Sequence, residues 1–184
     1  MGVFDSIDND YFTFDVEFSD RPDIVIKALY RCEALNTGLG YDEKIQMIDA
    51  DAYLKGQNDD IPVGDISFEI RPSSFVYVSG FYVDKRFEHC GIDSALLAFM
   101  ENLVKEKNSS MIGSVYEALT KHDKQAYRKS GYRFYKQSKG SICVSKDLKN
   151  KELSDNIVYS NFEILKPNKM EVNEQAPEQN QLAQ

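Results

Sequence analysis

The sequence predicts a single mixed α/β domain in which a mostly antiparallel sheet is flanked by helices. Two patterns predict this fold class. Several short runs alternate apolar and polar residues, which is typical of strands with one buried face. One longer run, residues 92–104, repeats its apolar residues at helical spacing, which is typical of an amphipathic helix. The length of 184 residues suits one domain with a sizeable core.

The first elements are predicted to be a strand and then a helix. Tyr11–Phe18 alternates aromatic and polar residues and is predicted to be the first strand. Asp20 would then cap a helix that has Pro22 in its first turn and ends near Gly38 and Gly40. The buried face of this helix would consist of Val25, Ala28, Leu29 and Cys32.

Three strands follow, and they are predicted to form an antiparallel meander. They are residues 45–54, residues 62–70 and Phe75–Val83. The first two alternate apolar and polar residues, whereas the third is a continuous apolar and aromatic run. Short polar turns separate these segments, and turns of that length join antiparallel neighbours.

Beyond the long helix, the chain is predicted to alternate between short strands and a short helix. A β-like run covers residues 110–116, and Lys121–Lys129 is a polar helix that Gly131 ends. Two further strands are predicted. They are an interrupted strand made of residues 132–135 and 141–144, and a last strand at residues 156–165. The element order is therefore typical of a layered α/β fold.

The composition limits the domain, its compartment and its partners. The domain would span residues 1–166, and the polar residues 167–184 would form a disordered tail. A net charge of −8 disfavours a nucleic-acid surface and is more compatible with cationic partners. The three scattered cysteines form no Cys-x-x-Cys motif, so we expect no metal site and a reducing, cytoplasmic location. No apolar run is long enough to span a bilayer, so no membrane partner is expected.

The chain is organised around the strand Phe75–Val83, the long helix and the loop between them. The loop contains Gly91 immediately before the helix. A short glycine-containing loop that leads into a helix presents free backbone N–H groups and the positive end of the helix dipole. Such a site suits a phosphate or pyrophosphate.

Two stretches carry a resemblance to a known family. Residues 81–97 read FYVDKRFEHCGIDSALL, and residues 126–132 read AYRKSGY. The first resembles the acetyl-CoA motif of the GNAT superfamily of N-acetyltransferases, which has a strand, an Arg/Gln-x-x-Gly-x-Gly/Ala loop and an Ala-Leu-Leu helix. The second is similar to the later motif of that family, in which a helix carries a tyrosine before a Gly-Phe or Gly-Tyr pair.

The resemblance implies a fold, an activity and residue roles. The fold would have a splayed cleft for acetyl-CoA, from which an acetyl group passes directly to a primary amine. The amine would belong to a small molecule, a protein lysine or a protein N-terminus, and the family allows a homodimer. Tyr127 would be the general acid that protonates the departing thiolate. The donor site would comprise Phe81, Tyr82, Val83, Glu88, His89, Cys90, Gly91, Ile92, Asp93 and Ser94.

Two departures from the family's motif favour an alternative function. Glu88 stands where the family has Arg or Gln, and Asp93 stands where it has Gly or Ala. A carboxylate at about 4 Å from a phosphate opposes binding by about 4 kcal/mol at an effective dielectric constant near 20. Asp93 is also predicted to be the N-cap and to occupy the amides that would face the pyrophosphate. Lys85, Arg86 and His89 would supply compensating positive charge. The alternative is a catalytically inactive GNAT-fold binding or regulatory protein.

The general base is not distinguished by the sequence. Glu69, Asp84 and Glu117 lie at or near the ends of predicted strands. Glu117 is favoured because it follows the strand that is expected to face the central strand. For Tyr127, packing of a helix aromatic on the sheet is an equal alternative to catalysis. The adjacent His89 and Cys90 do not predict a nucleophile, since neighbouring side chains of one loop diverge.

Overall fold

In this computed structural model, the described residues are 10–36, 42–72, 75–107, 109–137 and 140–166. They form a nine-stranded sheet and two α-helices. The strands are β1 (Tyr11–Phe18), β2 (Arg21–Asn36), β3 (Asp42–Leu54), β4 (Ile61–Ile70), β5 (Phe75–Val83), β6 (Met111–Tyr116), β7 (Arg133–Lys136), β8 (Ile142–Asp147) and β9 (Ile157–Ile164). The helices are α1 (Ile92–Glu106) and α2 (Lys121–Lys129).

The strands lie in the order β7-β8-β6-β5-β4-β3-β2-β1-β9. Every neighbouring pair in the described sheet is antiparallel except β5 with β6. The predicted meander is confirmed, since β3, β4 and β5 are consecutive antiparallel neighbours. The predicted fold class, a mostly antiparallel sheet flanked by helices, is confirmed as well.

The predicted helix after the first strand is wrong, because β2 occupies this part of the chain. The residues that face the core alternate strictly and are Ile24, Ile26, Ala28 and Tyr30. The predicted helical stripe of Val25, Ala28, Leu29 and Cys32 is therefore not one face. The run Ile24-Val25-Ile26 is β-branched, and the restricted χ1 rotamers of such residues favour strands over helices.

The residues predicted to start that helix have other roles. Asp20 lies in the turn between β1 and β2. Pro22 lies where the ladder with β1 shifts register and before the ladder with β3 begins, so its missing N–H costs no regular pairing there. Gly38 and Gly40, predicted to end the helix, lie outside the described residues.

Helix α1 packs across the buried face of the sheet. Its fully buried apolar side chains are Ile92, Leu96, Leu97, Phe99, Met100, Leu103 and Val104. The ring centroid of Phe99 lies 6.3 Å from that of Phe14 in β1 and 6.1 Å from that of Phe68 in β4. Because burial of apolar surface is the dominant favourable term in folding, this stripe fixes the helix relative to the strands.

The C-terminal strands differ from the prediction in one respect. β7 and β8 are two antiparallel strands instead of one interrupted strand. The left-handed backbone of Gly140, at φ +83°, permits the chain to reverse between them. The predicted last strand is confirmed as β9, which pairs with β1 at the sheet edge. The predicted tail, residues 167–184, lies outside the described residues. Among the helices of the described ranges, none has the length and apolar character needed to cross a membrane.

Candidate functional site

Strands β5 and β6 begin as a parallel pair and then separate. Their backbone pairing joins Phe75 with Met111, Val76 with Ile112 and Tyr77 with Gly113. One step further, the hydroxyl of Ser114 donates to the carbonyl of Val78 at 2.5 Å and replaces the next ladder contact. The rest of β5, including Phe81, Tyr82 and Val83, has no backbone pairing with β6. A gap between two central strands therefore leads toward the start of α1.

A pair of tyrosines lies at this gap. The hydroxyls of Tyr116, at the end of β6, and Tyr127, on α2, are 2.5 Å apart and hydrogen-bonded. The Tyr127 ring is fully buried and lies 5.3 Å from the ring of Phe81 and 5.0 Å from that of Tyr132, centroid to centroid. Burial, followed by the neighbouring Tyr116, raises the pKa of Tyr127 far above its ordinary value. Tyr127 therefore keeps its proton throughout the physiological pH range.

The start of α2 explains why Tyr127 lies there. Thr120 is the N-cap, and its hydroxyl accepts the N–H of Asp123 at 3.0 Å. The carboxylate of Asp123 accepts the N–H of Thr120 at 3.1 Å, which completes a capping box. These two residues fix the first turn of the helix that carries Tyr127 to the sheet.

The loop between β5 and α1 begins with a tight turn. Asp84 caps the 3₁₀ turn Lys85–Phe87 by accepting the N–H of Arg86 at 2.9 Å. The Arg86 guanidinium donates to the same carboxylate and holds the pKa of Asp84 below its ordinary value. His89 and Gly91 then adopt left-handed backbones, at φ +72° and φ +79°. The left-handed backbone of Gly91 favours glycine, and a Cβ there would lie 2.6 Å from Nη1 of Arg21, so the end of that flexible side chain would have to shift.

The first turn of α1 corrects the prediction for Asp93. The N-cap is Gly91, which has no side chain to cap the helix, and Asp93 is the second residue of α1. Its buried carboxylate accepts the N–H of Ser94 at 2.9 Å. One amide at the helix start is therefore occupied by an acidic side chain of the protein, as predicted, although from inside the helix.

Glu88 and Asp93 meet a histidine of α2 that the sequence analysis did not single out. His122 places Nδ1 at 4.0 Å from the Glu88 carboxylate and Nε2 at 3.8 Å from the Asp93 carboxylate. The His122 side chain is only 10% exposed, and its Nε2 has no hydrogen-bond partner among the described residues. The ring of His89 lies 5.8 Å from that of His122, nearly perpendicular to it. The structure thus brings together three of the predicted loop residues around one imidazole.

A distant arginine holds the same loop from the side of β2. Arg21 donates from Nη1 to the carbonyl of Cys90 at 2.9 Å and forms two hydrogen bonds with Asp23. Lys85 and Arg86, which the sequence analysis considered as sources of positive charge, are exposed, and Arg86 is engaged with Asp84. Arg21 is 69 residues from Cys90 in sequence, so only the tertiary fold reveals this contact.

The candidate bases lie in different settings. Glu69 and Asp84 are both ion-paired, with Arg71 at 2.9 Å and Arg86 at 2.6 Å. Glu117 is exposed and directly follows Tyr116, so it lies next to the tyrosine pair in sequence. Tyr116 lies next to Glu117 in sequence and His122 lies two residues after Thr120. No short motif marks either residue as functional.

Comparisons with known proteins find similar structures only. No protein-family model matches the chain, and no curated protein matches it. A domain from Methanocaldococcus jannaschii DSM 2661 is 10% identical, covers 55% of this chain and 67% of its own, and has a TM-score of 0.50. PaiA N-acetyltransferase from Thermoplasma acidophilum, in complex with coenzyme A, is 16% identical. The match covers 56% of this chain and 60% of PaiA, with a TM-score of 0.46. Nourseothricin acetyltransferase is 12% identical. The match covers 64% of this chain and 84% of that enzyme, with a TM-score of 0.48.

At these identities the likeness concerns the fold alone. The structure nevertheless contains the individual features of the fold that the sequence motifs imply. A parallel pair separates, a glycine loop follows the central strand, and α1 and then α2 pack where the motifs place them. The described residues therefore have the mixed α/β fold, a mostly antiparallel sheet flanked by helices, that the resemblance to the GNAT motifs implies.

Proposed function

We propose that the chain is an acyl-CoA-dependent N-acyltransferase that passes an acetyl group directly to a primary amine. One observation carries the proposal. The parallel pair β5 and β6 separates beside the Tyr127 hydroxyl, and the gap leads to the glycine loop at the start of α1. Central strands of a sheet rarely leave backbone groups unpaired without a reason, because unpaired polar groups cost free energy when buried.

The residues of the gap suit such a donor in part. The backbone of Phe81, Tyr82 and Val83 would hold the pantetheine arm, and the loop from Glu88 to Gly91 with Ile92, Asp93 and Ser94 would face the pyrophosphate. Gly91 suits that role because it adds no side chain at the helix start. The carboxylates of Glu88 and Asp93 oppose it. Acetyl-CoA would be a co-substrate, and we propose no metal.

The tyrosine pair would manage the proton on the leaving sulfur. A bound thioester supplies an activated acyl carbon and a thiol leaving group. Tyr127 would give its proton to the departing sulfur as the bond from that sulfur to the acyl carbon breaks. Tyr116 shares a hydrogen bond with Tyr127 and is partly exposed, so it would return a proton from solvent. Its pKa is also raised, mainly by burial.

The acceptor would be a primary amine of a small molecule, a protein lysine or a protein N-terminus. Glu117 would take the proton that the amine loses as its nitrogen bonds to the acyl carbon. This exposed carboxylate can act directly or through one water molecule. The net charge of −8 favours cationic amines over acidic ones.

Binding of acetyl-CoA tests the proposal. We expect micromolar affinity by isothermal titration and a retained coenzyme A in native mass spectra, which also report whether the chain is a homodimer. Release of free thiol with a polyamine, an aminoglycoside or a lysine peptide would then measure transfer. Binding that is absent or only millimolar would contradict the proposal.

An inactive GNAT-fold binding or regulatory protein is the second candidate, and specific observations favour it. Tyr127 is fully buried with its hydroxyl satisfied by Tyr116, and Asp93 occupies the Ser94 amide. An incoming acetyl-CoA must break the hydrogen bond between Tyr116 and Tyr127 before its thioester reaches the Tyr127 hydroxyl. This candidate predicts that Glu88→Arg with Asp93→Gly creates coenzyme A binding that the unmodified chain lacks. Acetylation of any amine by the unmodified chain with useful turnover would exclude it.

A further inference from the structure

We propose that His122 becomes an imidazolium between Glu88 and Asp93 when an acyl-CoA binds, and that it thereby supplies the positive charge that the loop between β5 and α1 lacks. Binding of the acyl-CoA therefore takes up a proton. The inference rests on the proposed function, since the anion concerned is the pyrophosphate of an acyl-CoA at the start of α1. It assigns a binding role to a residue of α2 that lies outside both sequence motifs.

The position of His122 carries the argument. Each ring nitrogen faces a different carboxylate, at 4.0 Å from Glu88 and 3.8 Å from Asp93. Nε2 is buried and has no hydrogen-bond partner within the described ranges, and such atoms in a native interior call for an explanation. No other basic side chain of the described residues lies within 4.0 Å of either carboxylate.

The chemistry of imidazole favours the charged form at this place once an anion binds beside it. A neutral ring has one N–H and one lone pair, so one of its nitrogens would point a lone pair at a carboxylate. The imidazolium donates from both nitrogens and satisfies both carboxylates. Small side-chain adjustments would shorten both contacts to hydrogen bonds, because Glu88 is 30% exposed and has room to move.

A charged His122 also changes what an incoming anion meets. One Asp93 oxygen already accepts the Ser94 amide, and the other faces Nε2 of His122. With His122 protonated, both oxygens of this buried carboxylate are engaged inside the protein. Glu88 faces Nδ1 of the same imidazolium, and because its side chain is 30% exposed, it can turn to water when the anion arrives.

Other charged groups around His122 come from each element packed against it. His89 of the loop lies edge-on at 5.8 Å, and a charge there would compete with the charge on His122. On α2 itself, Lys121 is exposed, and Asp123 is committed to the N-cap of Thr120. The titratable groups that face the His122 ring are therefore Glu88, Asp93 and His89.

The experiment measures proton uptake by isothermal titration with coenzyme A, which binds without turnover. Titrations at pH 6 and pH 8, in two buffers of different ionisation enthalpy, give the affinity and the protons taken up. The variants are His122→Gln and His89→Gln, which removes the exposed histidine beside it. Because His89 lies in the loop proposed to face the pyrophosphate, His89→Gln is compared for proton uptake and not for affinity. The ligand's own phosphate also titrates in this range, so only differences between variants count.

We expect wild type to bind coenzyme A about tenfold more tightly at pH 6 than at pH 8 beyond the ligand's own effect, and His122→Gln to lose this difference. Adding Glu88→Gln to His122→Gln should restore affinity without restoring proton uptake. Proton uptake unchanged in His122→Gln, or lost in His89→Gln instead, would overturn the inference alone. Pronounced uptake without transfer to any amine would support it and contradict the proposed function. No binding at either pH would overturn both.

Discussion

The half of the sheet that contains β1 to β4 and the region from α1 to β6 bury different kinds of side chain. In the strands, apolar residues alternate with outward-facing polar ones, so the interior face is aliphatic and aromatic. Tyrosines aside, the buried polar and charged residues of the described ranges all lie in the second region. They are Asp93, Glu101, Asn102, Ser109 and Ser114.

This difference separates stability from function within one small fold. Burying a polar group costs free energy unless it is paired, whereas an apolar face stabilises directly. In the α1–β6 region, Asp93 and Ser114 lie at the candidate site, whereas Glu101 and Asn102 are paired with groups of other elements. The region relies on the apolar strands to keep its elements in place. Proteins commonly depart from apolar packing at functional sites.

The largest effect is expected where the two regions touch. Phe99→Ala should lower the free energy of unfolding by about 4 kcal/mol, because it leaves a cavity between α1 and the rings of Phe14 and Phe68. Urea denaturation measures the change. Leu153→Ala, at a side chain that is half exposed, is the matched control and should cost less than about 0.5 kcal/mol. If both variants lowered the free energy of unfolding equally, the packing of Phe99 between α1 and the strands would not stabilise the fold more than an exposed contact does.

The second effect concerns the buried ion pairs. Glu101 accepts from Lys146 at 2.8 Å and Lys151 at 3.1 Å, and Lys146 also donates to the carbonyl of Ser130 at the end of α2. Glu101→Ala should cost about 3 kcal/mol in urea denaturation, because it leaves Lys146 without its counter-charge.

Two further variants sharpen this prediction. Glu33→Ala removes an exposed carboxylate at 3.6 Å from Arg31 and should cost less than about 1 kcal/mol. The double variant Glu101→Leu with Lys146→Met should recover most of the loss, since apolar replacement of a buried pair is often neutral. A double variant as unstable as Glu101→Ala would indicate that the pair stabilises the fold outright.

The third effect is on turnover, and it tests the polar region directly. Tyr127→Phe should lower the rate of acetyl transfer about a hundredfold, because it removes the proton donor and retains the ring packed on Phe81 and Tyr132. Tyr116→Phe is the comparison. It leaves the Tyr127 hydroxyl in place without its partner and should reduce the rate less. Thiol-release assays at matched acetyl-CoA saturation measure both. An undiminished rate in Tyr127→Phe would contradict the role of general acid and leave that ring a purely structural one.

The same contrast explains what the sequence could predict. Alternation and helical spacing are local signals, so most strands, α1 and α2 follow from them. The wrong helix arose where Asp20 and Pro22 imitate a helix start, while the β-branched run after them favoured a strand. β7 and β8 were predicted as one strand interrupted near Gly140. The reversal there follows from the antiparallel pairing of β8 with β7 and with β6, which no local pattern shows.

The site was predictable only where a motif lies in one stretch of chain. The sequence placed Gly91, Asp93 and Tyr127 on their elements, but the N-cap was assigned to Asp93 because Asp is among the residues most strongly preferred at that position. His122, Tyr116 and Arg21 act through contacts between elements distant in sequence. Charge compensation of that kind becomes visible only after the chain is folded.

The smallest effect comes from a polar pair on the strand half. Asp51 of β3 and Asp65 of β4 are direct cross-strand partners, and like charges in that position destabilise a sheet. Burial and then Asp51 raise the pKa of Asp65 above its ordinary value of 3.8. Because the folded state holds this proton more tightly than the unfolded chain does, stability falls as pH rises from that value through the raised one.

Asp65→Asn should therefore stabilise the protein by about 0.5 kcal/mol at pH 7 and have no effect at pH 3, as measured by urea denaturation at both values. Asp49→Asn is the control of opposite sign. It removes a carboxylate that accepts from Arg31 at 2.5 Å and should destabilise slightly at pH 7. A stabilisation by Asp65→Asn that persists at pH 3 would mean that the gain is unrelated to charge. A lower free energy of unfolding for Asp65→Asn at pH 7 would mean that the negative charge of Asp65 strengthens a stabilising contact. The half of the sheet that contains β1 to β4 would then also depend on a polar interaction.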